Sequence, residues 1–380
     1  MNVLLTTDYF PPHTGGGVEV VVSHLASELV RLGHKVAVVT LNTQHAAARE
    51  TVNGIRVYRA RTVELTRLGF QGAVSFSLLR TLLEACKRER PDIVHANSIF
   101  FFTTIAAALA KKIVNTPLIT TVHGGSTSHL EGGLRLFVNM YENSLGRWVL
   151  NQSDYVIAVS REVMHYAEAL GTPHQKVTVI PNAVDIREFQ PSSRGEGKSS
   201  GPVRVAFVGR LLQNKGPQYL VEAAAYVVHT CPSVRFCIVG EGHLLAQLMA
   251  RVRQLGLEDH FTFLGLVPSV AEFLKGCDIL VRPSLTEGMP LTVLEAMACG
   301  LPVIASDVGG TSEILHHGET GFLVKPKNIV DLSSCITKLV IDDQLRITMG
   351  RRAKAFAERY GGWEAIARQI TEIYEQVVQS

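Results

Sequence analysis

Two open, parallel α/β domains in series, facing across a cleft, are the fold class this chain predicts, and three observations carry the prediction. Strand-like apolar runs alternate with amphipathic helical ones almost from end to end, which implies parallel sheets. The alternation breaks at Gln190–Pro202, QPSSRGEGKSSGP, a polar Gly/Ser-rich stretch with no apolar period that reads as a linker. Glycines, cations and carboxylates recur just past the strands, where open α/β sheets bind ligands. The domains expected are 1–189, then the linker 190–202, then 203–362, with 363–380 returning to the first.

The opening is βαβ: a strand over Asn2–Thr7, a helix over Val18–Leu32 that Gly33 stops, and a strand over Lys35–Thr40. The loop Pro11-Pro12-His13-Thr14-Gly15-Gly16-Gly17 leads into that helix, so its backbone N–H groups can approach a phosphate or a sugar closely. It is not a dinucleotide fingerprint, because the third glycine required after Gly15 and Gly17 falls at Val20. A plain tight turn is the competing reading. The alternation continues through Ile55–Arg59, a helix around Ser75–Glu89, Ile93–Ala96, a helix near Ile99–Lys111, Leu118–Val122, a helix near Leu134–Leu150, Tyr155–Val159 and Val177–Ile180. His123-Gly124-Gly125 follows a strand end, and His95–Ser98, Ser160 and Asn182 share that rim. A rim histidine can donate a hydrogen bond or carry a proton near neutral pH, against the plainer reading of a structural histidine.

The second series runs Arg204–Val208, a helix from about Gly216 to Val228, Arg235–Val239, a helix from about His243 to Leu255, His260–Phe263 and a short helix near Val270–Lys275. Gly209-Arg210-Leu211 and Lys215-Gly216 put two cations between the first strand and its helix, the corner where an α/β domain holds phosphate. Solvated surface cations are the alternative. Gly240-Glu241-Gly242 and Leu264-Gly265 follow the next two strands, as nucleobase flanks or as mere turns. Gly197-Lys198-Ser199 in the linker is no P-loop, since Ser192 stands where a glycine is needed and no strand leads in.

Between strands at Ile279–Val281 and Val303–Ala305 lies SLTEGMPLTVLEAMACGLPVIASDVGG, Ser284–Gly310. Pro290 suits the first turn of a helix and Gly300 its left-handed stop. At about 100° per residue, Leu291, Leu294 and Ala298 form the buried stripe, with Glu295 at its edge. Glu287 precedes the helix, so both carboxylates can face the strand-end mouth. A loop charge favoured by the helix dipole and a paired structural acid are the plain alternatives. Asp307-Val308-Gly309-Gly310 then leads to a short helix with Glu313, read as structural. Amphipathic helices at Ile329–Ile341, Asp343–Arg359 and Trp363–Val378 complete the chain, the last after the hinge Gly361-Gly362.

Composition narrows the class. The 380 residues are 46% hydrophobic and 19% charged, enough to bury two or three cores. The formal charge of +3, all of it in the first half, is no nucleic-acid footprint, though it suits weak contact with an anionic membrane. Six scattered cysteines without a C-x-x-C pair, and no signal-peptide pattern, lead us to expect a reducing cytoplasm. The longest nearly uncharged run, Ile99–Ala110, is too short to cross a bilayer.

The motif E-G-M-P-L-x-x-x-E-A-M-A-C-G-x-P-V-I, with its two glutamates, resembles the donor-sugar signature of the family-4 retaining nucleotide-sugar glycosyltransferases, which have the GT-B fold. G-R-L-x-x-x-K-G after an apolar strand, the first-loop glycines followed by V-E, and His123 resemble that family too, so the resemblance spans nearly the whole chain. It implies a transfer of a sugar from a nucleotide diphosphate sugar to an acceptor hydroxyl, with retained configuration, in glycan, glycolipid or cell-envelope polysaccharide synthesis. It implies Rossmann-like domains, the second holding the nucleotide and the first the acceptor. On the donor side it places Gly16, Gly17, Arg210, Lys215, Glu241, Leu264, Glu287, Gly288, Met289, Pro290, Leu291 and Glu295. On the acceptor side it places Gly15, His123 and Asn182, and as catalytic groups His123, Arg210, Lys215 and Glu287. Within the pair it assigns Glu287 to the transferred sugar and Glu295 to the ribose. His123 is followed by Gly124 where the family often has Asp. No Asp-x-Asp metal motif occurs, so no metal or other cofactor is expected. A nucleotide-sugar epimerase of the same architecture and a non-catalytic sugar-nucleotide-binding subunit are the other readings. The partners expected are the nucleotide-sugar donor and a glycan or lipid-linked acceptor. Phe100-Phe101-Phe102, with Arg61, Arg67 and Arg80 near Leu65, Leu68 and Phe70, adds peripheral contact at the inner membrane face, against the plainer reading that these phenylalanines are helix core.

Overall fold

The computed structural model describes residues 1–13, 16–44, 46–64, 73–124, 132–191 and 201–380. They form two units, Met1–Asn182 with Trp363–Ser380, and Ala183–Gly362. The shift in composition that marks 190–202 thus comes later than the structural division, and residues 183–189 belong to the second unit. Residues 192–200 of the expected linker lie outside the described residues.

The first unit runs β1 (Asn2–Thr6), α1 (Gly17–Arg31), β2 (Lys35–Leu41), β3 (Arg49–Val52), β4 (Ile55–Ala60), β5 (Val63–Glu64), β6 (Ala73–Val74), α2 (Leu78–Glu89), β7 (Ile93–Asn97), α3 (Phe102–Val114), β8 (Leu118–Val122), α4 (Gly132–Tyr141), α5 (Arg147–Gln152), β9 (Tyr155–Ala158), α6 (Arg161–Ala169) and β10 (Val177–Val179). The sheet order is β10-β9-β8-β7-β1-β2-β4-β3, parallel except at the β3–β4 hairpin. Its central strands are buried along nearly their whole length, because helices cover a parallel sheet on both faces, which is why they read as unbroken apolar runs. The order reverses at β1, between β7 and β2, which makes the loops after β1 and β7 the ligand position of this sheet.

Two helices depart from expectation. α3 starts at Phe102 rather than Ile99, because the buried Asp8 carboxylate accepts the N–H groups of Phe102 and Thr103 at 3.1 and 2.9 Å. The single helix expected over Leu134–Leu150 is divided by a π-helical turn, Glu142–Gly146. The wider turn carries Glu142 inward, where its carboxylate accepts the Tyr166 hydroxyl at 2.6 Å.

The second unit runs β11 (Arg204–Val208), α7 (Pro217–Thr230), β12 (Arg235–Val239), α8 (Leu245–Gln254), β13 (Phe261–Gly265), α9 (Val270–Lys275), β14 (Ile279–Arg282), α10 (Leu291–Ala298), β15 (Val303–Ser306), α11 (Thr311–Ile314), β16 (Gly321–Val324), α12 (Ile329–Ile341) and α13 (Asp343–Tyr360). The parallel sheet has the order β13-β12-β11-β14-β15-β16, so its switch point lies between β11 and β14. Phe207, Phe236, Leu220, Val227 and Ile336 are fully buried in its core. The last helix, α14 (Trp363–Gln379), returns to the first unit. Trp363 stacks on His24 of α1, and Tyr374, fully buried, meets His95 Nδ1 at 2.6 Å. His95 is therefore a core residue of β7, bonded at its other nitrogen to Thr121, and not a rim group.

Candidate active site

At the switch point of the second sheet, charge gathers just past the ends of β11 and β14. β14 finishes on Arg282, and the loop after it carries Ser284 and Glu287. Glu287 is not a solvated loop acid but is 7% exposed. Its Oε2 accepts Lys215 Nζ at 2.8 Å, and its Oε1 accepts Arg282 Nε at 2.9 Å, Arg282 Nη2 at 2.8 Å and Ser284 Oγ at 2.7 Å. Burial alone pushes the Glu287 carboxyl up. The charges of Arg282 and Lys215 and the hydrogen bonds of Lys215 and Ser284 outweigh it and hold the group at about 2. Burial lowers the Lys215 ammonium, with Glu287 opposing. Lys215, expected as a point charge for phosphate, thus stands paired with Glu287.

Backbone packing fixes this arrangement. Lys215 ends a short 3-10 turn, and Gly216 after it has φ +75°, where a Cβ would lie 1.8 Å from the carbonyl oxygen of Pro283. Gly309 has φ +59°, and a Cβ there would lie 1.9 Å from the carbonyl oxygen of Glu287. The neighbouring Gly310 N–H donates to the Gly288 carbonyl at 2.7 Å. The loop after β15 thus clamps the loop after β14.

Gly288, Met289, Pro290 and Leu291 are buried beneath the amino end of α10. Pro290 is the N-cap rather than the first helical residue, with ψ 109°, so α10 starts at Leu291. The expected stripe of Leu291, Leu294 and Ala298 is buried, but so are Val293, Ala296 and Met297. Among residues 291–298, only Thr292 and Glu295 keep partial exposure. Spaced i, i+3, they share one edge of the helix. The Glu295 carboxylate has no hydrogen-bond partner among the described residues. Burial, and then the Glu188 charge, raise it to about 7 against the opposing Arg282. The Thr292 hydroxyl beside it is buried and unbonded.

Arg210 is exposed, with no side-chain partner among the described residues. Glu241 is exposed as well, and its carbonyl accepts Leu211 N–H at 2.8 Å. Cβ atoms at Gly240 and Gly242 would come within 2.0 Å of Gly209 O and 2.4 Å of Leu211 O, so the loops after β11 and β12 pack backbone on backbone. Leu264 is exposed at the end of β13.

In the first unit, His123 and Asn182 line one small crevice with Asn97, Thr121 and apolar residues of α1 and α14. His123 Nε2 lies 3.0 Å from Asn97 Oδ1, while the Asn97 amide donates to the Thr6 carbonyl at 3.2 Å. The hydrogen therefore sits on Nε2, leaving Nδ1 an acceptor. Burial lowers His123 to about 4, so near neutral pH it is an uncharged hydrogen-bonding group rather than a proton carrier. Ser160 caps α6, accepting Val163 N–H at 3.2 Å. Gly16 is the N-cap of α1 and Gly17 its first residue. A Cβ at Gly16 would lie 2.6 Å from Glu19 Oε2, so an internal carboxylate already lies over that helix end, which the sequence had suggested as an open anion cradle. Gly15 and Gly125 lie outside the described residues.

A family model described as Glycosyltransferase Family 4 matches residues 15–188, and one described as Glycosyl transferases group 1 matches 188–356. The UDP-Gal:alpha-D-GlcNAc-diphosphoundecaprenol alpha-1,3-galactosyltransferase of Escherichia coli is 31% identical over 281 residues, 71% of each chain. The chain is a family-4 glycosyltransferase. The enzyme is also 28% identical to N-acetyl-alpha-D-glucosaminyl L-malate synthase of Bacillus anthracis, over 96% of this chain and 95% of that one. Among solved structures it resembles Anabaena HepE in complex with UDP-glucose, with TM-score 0.80 and 22% identity over 98% and 99% of the chains, a likeness of fold. The architecture of the glycosyltransferase is accordingly GT-B.

Sequence reasoning missed Arg282. An arginine closing an apolar strand reads as an end charge, yet this one is 6% exposed. The signal lies in Gly209, where φ is +153° and a Cβ would sit 2.1 Å from Arg282 Nη1. Asn97, which orients His123, was named only as one of several rim residues.

Proposed function

We propose that this glycosyltransferase transfers a sugar from a nucleoside diphosphate sugar to a hydroxyl of a glycan or lipid-linked acceptor, with retention and without a metal. The observation that carries the reading is the second unit's switch point, where Glu287 is held ionised and Glu295, which accepts no hydrogen bond among the described residues, stands one helix edge away. Glu287 accepts hydroxyls of the transferred sugar, and Glu295 accepts those of the ribose, with Thr292 beside it. Leaving-group charge grows on the diphosphate, and Arg210, Lys215 and the amino end of α10 stabilise it. A β-phosphate oxygen then takes the proton of the incoming hydroxyl, which needs no separate base. The first unit, with His123 and Asn182, serves the acceptor. A uridine donor is supported by the relative named for UDP-Gal.

That relative's diphosphoundecaprenol substrate also supports a lipid-linked acceptor here, and the surface of the first unit fits one. Leu136, Phe137 and Met140 of α4 are 60–73% exposed. Phe100 stacks on Tyr141 beside them, and Phe100 and Phe102 are exposed rather than core. Along 132–152 the exposed charges are Arg135 and Arg147, while the acid Glu142 is buried. An apolar face with basic charge suits peripheral contact with an anionic bilayer. Among the described residues no helix is long and apolar enough to cross a membrane. Arg67, Leu65, Leu68 and Phe70 lie outside the described residues.

A thermal-shift panel of UDP, GDP and ADP sugars tests the donor. The right one, at about 100 times its dissociation constant, stabilises by roughly 2.7 kcal/mol. No shift with any of them would overturn the reading.

A further inference from the structure

Glu287 receives more positive charge than one carboxylate needs, and the two cations are not equivalent. Lys215 bonds Oε2, and its side chain keeps 17% exposure; Arg282 bonds Oε1 and keeps 7%. Each nitrogen of the Arg282 guanidinium is engaged. Nε and Nη2 go to Glu287, Nη1 donates to the Val208 carbonyl at 2.7 Å, and the group lies 5.8 Å from the centre of the Phe207 ring. The chain forgoes a side chain at Gly209 to admit it. A buried guanidinium in an apolar strand is costly to desolvate, so its place calls for a return. A carboxylate offers about four lone-pair sites. Oε1, with Arg282 and Ser284, is filled, and Oε2, with Lys215 alone, has room.

Resting on the donor-site reading above, we propose that Arg282 is the positioning residue of the reaction. It locks Glu287 through Oε1 and balances its charge from below, so that Oε2 faces the sugar hydroxyls and Lys215 is free to turn to the diphosphate. Arg282 itself touches no substrate. Without it, the charge of Glu287 would be balanced by Lys215 alone, and the arriving diphosphate would compete for that lysine. The charged and titratable groups around Glu287 are Arg282 of β14, Lys215 of the turn before α7, Arg210 beyond Lys215, and Glu295 of α10, which Arg282 also faces, with the neutral Ser284 hydroxyl of its own loop beside them.

The test compares Arg282→Met and Arg282→Lys with the wild type, using the donor that gives the largest shift in the panel and its nucleoside diphosphate. Arg282→Met should lower kcat about tenfold or more while nucleoside diphosphate affinity stays within roughly threefold. Its acid limb in kcat, recorded at saturating donor and repeated in a Glu295→Gln background, should move up by about one pH unit or more as Glu287 loses its nearest charge. Arg282→Lys should return the limb towards the wild type. Arg282→Gln, which can still donate to Val208, carries the same test if Arg282→Met does not fold. An unmoved acid limb, with kcat and nucleoside diphosphate affinity falling together, would make Arg282 a mere staple and overturn the proposal. Glu287→Gln with undiminished turnover would instead overturn the donor-site reading beneath it.

Discussion

Replacing Glu295 with glutamine should stabilise the enzyme at pH 8 and not at pH 4.5. Burial and Glu188 raise this carboxyl from the ordinary 4.5 to about 7, and no hydrogen bond offsets them. At about 1.36 kcal/mol per unit, and allowing for solvent at a half-buried site, ionising it in the fold costs about 2–3 kcal/mol. Below pH 4.5 both folded and unfolded chains hold the proton, and the group costs nothing. Between 4.5 and 7 the unfolded chain releases it first, so stability falls as pH rises; above 7 the full cost stands. Glutamine removes the charge and keeps the shape. The melting temperature of the second unit should rise by about 5–10 °C at pH 8 and hardly at all at pH 4.5. The same proton governs binding. Ribose hydroxyls favour the ionised form, so UDP affinity in the wild type should fall about fivefold from pH 7 to pH 6, and calorimetry in buffers of different ionisation enthalpy should detect proton release. Glu295→Gln should bind UDP more weakly and without that pH dependence. Equal melting of both proteins at pH 8, with UDP affinity flat from pH 6 to 8, would refute the reasoning.

Glu287→Gln should leave UDP affinity nearly unchanged while cutting turnover of the intact donor, and equal losses in both would contradict its assignment to the sugar. Arg210→Ala and Lys215→Ala should each cost about 2–4 kcal/mol of transition-state stabilisation, read from kcat/KM. Transfer should survive excess EDTA, and loss on chelation restored by Mg²⁺ or Mn²⁺ would return the charge-neutralising role to a metal. Gly309→Ala forces a Cβ to 1.9 Å from Glu287 O at a positive φ; it should lower both melting temperature and turnover, and a variant with wild-type values would show the clamp to be soft. The first unit's apolar face predicts co-sedimentation with anionic vesicles at low salt, reduced in Phe137→Ser/Met140→Ser; failure to co-sediment would remove the membrane from the picture.

Much of the fold was legible from spacing alone. Strands such as Leu118–Val122 and Arg235–Val239, and the helix Ile329–Ile341, fall where apolar period and glycine stops place them. Glu287 and Lys215 were singled out because a glycine beside each marks a loop past a strand end, and Glu295 because it stands at the edge of the buried stripe of its helix. What stayed hidden depends on partners far along the chain. Arg282 and Lys215 converge on Glu287 only because β11 and β14 are neighbours in the sheet. The hydrogen bond that orients His123 is accepted by Asn97, one strand over. The Tyr166 hydroxyl that Glu142 accepts at the π-helical turn lies 24 positions on, beyond any window of 18 residues. The raised carboxyl of Glu295 comes from burial first and then from Glu188, more than 100 positions earlier.

The position of α14 bears on how the chain is made. Trp363, Ile366, Ile370 and Tyr374 belong to the core of a unit whose other residues all precede position 183. On the ribosome, the first unit therefore waits, lacking the partner of His95, while residues 183–362 are synthesised. At about 5–20 residues per second that wait is on the order of 10–40 s, during which the second unit can complete its own core. The unit begun first is thus the last to close, and a nascent chain halted before Trp363 would leave the crevice beside His123 without one of its walls.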